Sequence, residues 1–130
     1  MYEIKPESFS TDIVFQLKGK REIVEYRVIL AHFLETIAIK CEKAGTCLIG
    51  HIKGLVLGKG ESYFKISVIS ASLPANIEGN LNKEADMITL NLNVIIYGLS
   101  SDTLEKIVRE AASVFKKEYF DSITVNHTIE

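Results

Sequence analysis

Hydrophobic positions along this chain switch between two spacings, and the switches mark its elements. Residues 1–9 (MYEIKPESF) carry a proline and no period, and read as a disordered arm. From Ser10 to Lys18 the apolar residues Ile13, Phe15 and Leu17 alternate with polar neighbours, with Phe9 in phase, which predicts a strand. Gly19, Lys20 and Arg21 break it. Over Glu22–Lys43 the spacing becomes helical, through Ile23, Tyr26, Leu30, Phe33, Leu34, Ile37, Ala38 and Cys41. Val24, Val28, Ile29 and Ile39 widen that apolar surface beyond one face. A helix this apolar is expected to be covered on more than one side, by the domain or by a second subunit. Gly45 stops it.

Cys47 to Ile69 reads as a β-hairpin, two apolar runs joined across Gly58, Lys59 and Gly60. The loop length decides which side chains share a face, because a one-residue slip inverts the assignment. A two-residue loop would put Lys53 on the same face as Phe64, Ile66 and Val68, and an unpaired buried ammonium is costly. A three-residue loop with Gly60 in a bulge instead groups Gly50, Ile52, Gly54 and Val56 with those three apolar residues. It sets Gly54 opposite Phe64, and it sends Ile49, His51, Lys53, Leu55, Tyr63, Lys65, Ser67 and Ile69 to the other face. We adopt this second register.

Residues 73–85 (LPANIEGNLNKEA) read as a long loop. Asp86–Tyr97 alternates cleanly, with Ile88, Leu90, Leu92, Val94 and Ile96 on one face and Thr89, Asn91, Asn93, Ile95 and Tyr97 on the other. Asp102 and Glu105 have the spacing of a cap and its partner three residues on, opening a second helix striped by Leu104, Ile107, Val108, Ala111, Val114 and Phe115. Ile123, Val125, His127 and Ile129 form a short closing strand. The order β-α-β-β-β-α-β predicts an α+β fold, a two-layer sandwich with an antiparallel-rich sheet and both helices on one face. It is a variant of the ferredoxin-like plan with one strand extra. The opposite sheet face is then left without cover from the chain itself.

Composition narrows the function classes. At 130 residues and 14.5 kDa the chain is expected to be one domain, residues 1–130, able to bury roughly two-thirds of its unfolded surface. A formal charge of −2 and a pI near 5.9 argue against a general nucleic-acid binder. The amino terminus has no basic-then-apolar signal pattern, and no apolar run approaches the roughly 20 residues that span a bilayer. A soluble, cytoplasmic protein with no membrane partner is the expectation. Cys41 and Cys47 are too few for a disulfide framework and read as small apolar core residues.

The candidate chemistry lies on the uncovered sheet face. From Lys43 to Gly60, from Ser62 to Ile77 and from Met87 to Ser101 there is no Asp or Glu. The central strands therefore present lysines, tyrosines and amides in an otherwise acidic protein. Such a carboxylate-poor face suits a small anionic ligand. His51, Lys53 and Lys65 would meet its charge, and Tyr63, Asn91, Asn93 and Tyr97 would shape the site. The loop from Leu73 to Ala85 is placed to fold over it.

His51 and Lys53 point the same way from one strand, so an enzyme using them as acid–base pair or nucleophile is the alternative. Such work usually wants a carboxylate nearby, and the central strands supply none. A third reading is structural, with the face buried in a homo-oligomer.

Other signals are weak. His32 and Glu35 can meet on one helix face, but two residues do not make a metal site. His127 falls on the apolar face of its strand. Gly54-x-x-x-Gly58-Lys59-Gly60 is one residue short of a phosphate loop and joins two strands. Asn126-His127-Thr128 is a formal sequon in a chain without a secretion signal. No cofactor or metal is implied. The best reading is non-catalytic, regulatory binding of a small anion by a homo-oligomeric domain.

Overall fold

A computed structural model describes residues 6–21, 23–45, 47–57, 63–80 and 85–127. The elements are β1 (Pro6–Arg21), α1 (Ile23–Ala44), β2 (Leu48–Leu57), β3 (Tyr63–Val68), β4 (Asn76–Asn80), β5 (Ala85–Tyr97), α2 (Ser101–Tyr119) and β6 (Phe120–His127). The strands form one six-stranded sheet in the order β4-β3-β2-β5-β1-β6, with every neighbouring pair antiparallel. Both helices pack on one face, α1 over β2 and β3 and α2 over β1 and β6. The fold is thus the expected two-layer α+β sandwich.

The strand parities follow from burial. Phe9, Ile13 and Phe15 of β1, Ile52 and Val56 of β2, Phe64, Ile66 and Val68 of β3, and Ile88 to Ile96 of β5 at every second position enter one core. Residues 6–9, expected to be disordered, are the start of β1: Pro6 pairs with Tyr97, and Phe9 is buried opposite Val94. A proline suits a first strand position because it has no N–H to contribute to the ladder. The expected break at residues 19–21 appears as a shift of the β1–β5 register between Gln16 and Arg21, while the strand runs on to Arg21.

The hairpin keeps the chosen faces but not the chosen partner. Ile52 pairs with Val68, Gly54 with Ile66 and Val56 with Phe64, a shift of two residues that preserves parity. The space Gly54 leaves is taken by Leu90 and Leu34, not by the Phe64 ring. The turn at residues 58–60 lies outside the described residues. A second correction concerns Ile49. The β2–β5 register slips between Ile49 and His51, a bulge at Gly50 that returns Ile49 to the core side, where it packs against the apolar cluster.

The domain itself covers the wide apolar surface of α1 only in part: Ile29 is buried, while Val28 and Ile39 stay exposed. Phe33 stacks edge-on with Phe15 of the sheet at 5.7 Å and with Phe115 of α2 at 5.2 Å between ring centroids. On the opposite flank the Ala75 N–H donates to Glu35 Oε2 at 2.9 Å, tying residues 70–75 to the helix. Helix α1 ends at Ala44, one residue before Gly45, but Gly45 does not take the left-handed conformation. Instead the Cys47 thiol donates to the Cys41 carbonyl at 3.4 Å, meeting one of the unpaired acceptors of the last turn.

Two further expectations change. The stretch from 73 to 85 contains β4, an edge strand paired with β3. Gly79 makes that pairing possible: its φ is +94°, and a Cβ there would fall 2.8 Å from the Tyr63 carbonyl oxygen. At the start of α2 the cap is Ser100, not Asp102. Ser100 Oγ accepts the Thr103 N–H at 3.2 Å, and the Ser100 carbonyl accepts the Leu104 N–H at 3.0 Å. Asp102 sits in the first turn, where its charge suits the helix dipole. No helix among the described residues is long and apolar enough to cross a membrane.

Candidate ligand site on the open sheet face

Alternation sends the second set of strand residues to the face away from the helices, and the ladder pairings order them into transverse rows. One row reads Glu78, Lys65, Leu55, Asn91, Asp12 from β4 to β1. The next reads Asn76, Ser67, Lys53, Asn93, Ser10. These two rows enclose an open depression of about 540 Å³, lined by Asn76 and Glu78, Lys65 and Ser67, Lys53 and Leu55, and Asn91 and Asn93, with Gly54 and Ile66 at its base. That volume lies in the range of small-molecule sites.

Of the residues singled out in the sequence, Lys53, Lys65, Asn91 and Asn93 line the depression. His51 stands outside it, one row beyond Lys53 and opposite Ile95. Tyr63 lies one row beyond Lys65, with the Lys65 ammonium 6.0 Å from its ring centroid, the outer reach of a cation–π contact. Tyr97 is four positions from Asn93, about 13 Å at strand rise, and the bulge sets it over Gly50. Neither tyrosine lines the depression.

The face is not free of carboxylates. Asp12 on β1 and Glu78 on β4 flank the central strands in the same row as Lys65. Both were legible in principle. Asp12 is out of phase with Ile13 and Phe15, and Glu78 follows Ile77, but three alternating residues in a stretch rich in Asn and Gly do not announce a strand. Asn76 and Ser10 were missed for the same reasons. Of the loop from Leu73 to Ala85, expected to fold over this face, Ala75 bonds to Glu35 on the helical side and residues 76–80 form β4; residues 81–84 lie outside the described residues.

Several contacts fix the site's polarity. Ser10 Oγ donates to Asn93 Oδ1 at 3.0 Å, leaving the Asn93 amino group as the free donor. Asn76 Nδ2 donates to Glu78 Oε1 at 3.4 Å. Burial, and then the neighbouring Lys53 ammonium, push the His51 pKa below its ordinary value, so its ring is neutral at pH 7 and the positive charge near the depression comes from the two lysines. Lys53 is exposed rather than enclosed by apolar groups as a nucleophilic lysine would be. Its ladder partners are Ser67 and Asn93, and neither is an acid or base.

The remaining candidates sit elsewhere. Glu35 is engaged by Ala75, and the His32 ring packs 5.5 Å from that of Phe115. Cys41 and Cys47 are free thiols on the helical side. Burial, and then Cys47, push the Cys41 pKa to about 12, so it is an inert thiol. His127 pairs in register with Thr11; its side chain lies outside the described residues. Among the described residues no group of three His, Cys, Asp or Glu side chains could hold a metal ion. Comparison of the chain with protein-family models, with curated proteins and with solved structures finds no match.

Proposed function

We propose that this chain is a non-catalytic binding domain that takes a small anionic ligand in the depression on its open sheet face, in a regulatory role. The observation that carries this reading is the placement of Lys53 and Lys65 on diagonal positions of adjacent strands, in a concavity whose other polar lining is three asparagine amides, the Ser67 hydroxyl and the Glu78 carboxylate. Two ammonium groups with convergent amide donors suit a carboxylate or phosphate. We also propose that the architecture is a ferredoxin-like variant. The sub-order β2-β5-β1-β6, with α1 following β1 and α2 following β5, is what the split β-α-β plan requires. The hairpin partner β3 and edge strand β4 then extend one side of it.

The test is a titration of ¹⁵N-labelled protein with phosphate and with citrate, read at the backbone amides. Shifts centred on Lys53, Lys65 and Asn93, abolished in the Lys53→Ala/Lys65→Ala variant, are expected. Shifts that survive the double substitution, or that centre elsewhere, would place the anion site off this face.

A second reading has its own observation. At one end of the open face Leu57, Tyr63 and Met87 are exposed, and Leu57 and Tyr63 are ladder partners. This end is suited to pairing with a second copy of the chain, beside the depression and not across it. Sedimentation of the wild type against Leu57→Lys decides this: a dimer that dissociates in the variant supports it, and a monomer in both excludes it.

A further inference from the structure

The arrangement of charge inside the depression carries the ligand's chemistry one step further, on the premise that the depression is the binding site. Lys65 and Glu78 are direct cross-strand partners, a position in which opposite charges ordinarily pair. No ion pair joins them in this structure. The Lys65 ammonium instead lies along its own strand toward Tyr63, and the Glu78 carboxylate takes the amide of Asn76. Both side chains line the depression. A cation and an anion thus flank one concavity while each remains available to a third party.

A plain anion is held less tightly in such a site than an occupant bearing both signs, because Glu78 repels part of the charge that the lysines attract. An occupant bearing both signs is favoured at each end. The Asn93 amide, held as a donor by Ser10, adds a second contact for the anionic end. We infer that the ligand is an amine-bearing acid, an amino acid or a related zwitterion. Its carboxylate or phosphate is held by Lys53 and Lys65, and its ammonium by Glu78.

Matched pairs of probes test this: glutamate against glutarate, and 4-aminobutyrate against butyrate. Each pair differs only in the amine. Binding is read from the amide shifts of Lys53, Lys65, Glu78 and Asn93 in wild type and in Glu78→Gln, a change on an exposed edge strand. The amine-bearing member is expected to bind roughly two- to fivefold tighter, the range of an exposed ion pair, and Glu78→Gln is expected to erase that preference. Equal or tighter binding of the deaminated member would overturn the zwitterion while leaving an anion site in place. A preference that persists in Glu78→Gln would overturn the role of Glu78. If no probe moves these amides in millimolar excess, the anion site itself is refuted, and the zwitterion with it.

Discussion

Gly54 and Leu90 approach so closely that a Cβ on Gly54 would fall 2.6 Å from Leu90 Cδ1, and 3.4 Å from Leu34 Cδ2. Both leucines are fully buried, so neither can swing into solvent to make room. The glycine therefore sets how closely α1 and β5 close over the centre of β2, beneath the depression. Gly54→Ala should destabilise the fold by about 1–3 kcal/mol, the usual cost of overpacking. Adding Leu90→Val should recover part of that loss, giving a sub-additive cycle in urea denaturation.

Ser100, not Asp102, supplies the side-chain oxygen that caps α2. Ser100→Ala should cost about 1 kcal/mol in thermal or chemical denaturation. Asp102→Asn should cost less, about 0.3–1 kcal/mol, because it loses only the charge–dipole contribution, and added salt should shrink that difference.

The hairpin and the cap show where the sequence is legible. Parity was readable because one register buries Lys53 and the other does not, and that contrast survives a two-residue shift of partner. The bulge at Gly50 was not readable, since a glycine among alternating residues carries no sign of whether its strand slips there. As a result Ile49 was assigned to the wrong face. Strand β4 was hidden because its pairing depends on β3 and on the positive φ of Gly79, both tertiary facts. Consequently the site was seen as its lysines and two of its asparagines, while Glu78, the residue that changes its chemistry, was missed. At α2 the Asp102–Glu105 spacing was a plausible cap, but Ser100 won because the helix begins two residues earlier, at Ser101. Glu105 instead reaches Arg109 at 3.7 Å along the helix.

Cys41 gives a pH dependence with a definite sign. Its folded pKa is raised from 9.0 to about 12, so the folded chain keeps a proton that the unfolded chain releases. The contribution is fully present below pH 9.0 and is lost as pH rises toward about 12. The slope from this group is at most about 1.4 kcal/mol per pH unit. Cys41→Ala should flatten stability against pH in that window. At pH 8 a thiol reagent should label half-exposed Cys47 in the folded protein and Cys41 only on unfolding.

His51 gives the opposite slope. Burial, and then Lys53, lower its pKa, so stability is fully present above the ordinary histidine range and declines as pH falls through it. An NMR titration should show His51 protonating below 6.5, its ordinary value. Saturating citrate should raise that pKa, because an anion held by Lys53 offsets the ammonium that lowers it. An unmoved His51 pKa in the citrate complex would mean that the anion is not beside Lys53.

The central claim, that the open face is a ligand site built on Lys53 and Lys65, is tested most directly by native mass spectrometry of gently purified protein. The account predicts a discrete small-molecule adduct, lost on denaturation, with the mass of an amine-bearing acid and absent from Lys53→Ala/Lys65→Ala. An adduct retained by that double variant would contradict it. So would adduct-free protein to which small acids, when added back, bind equally in the wild type and the double variant.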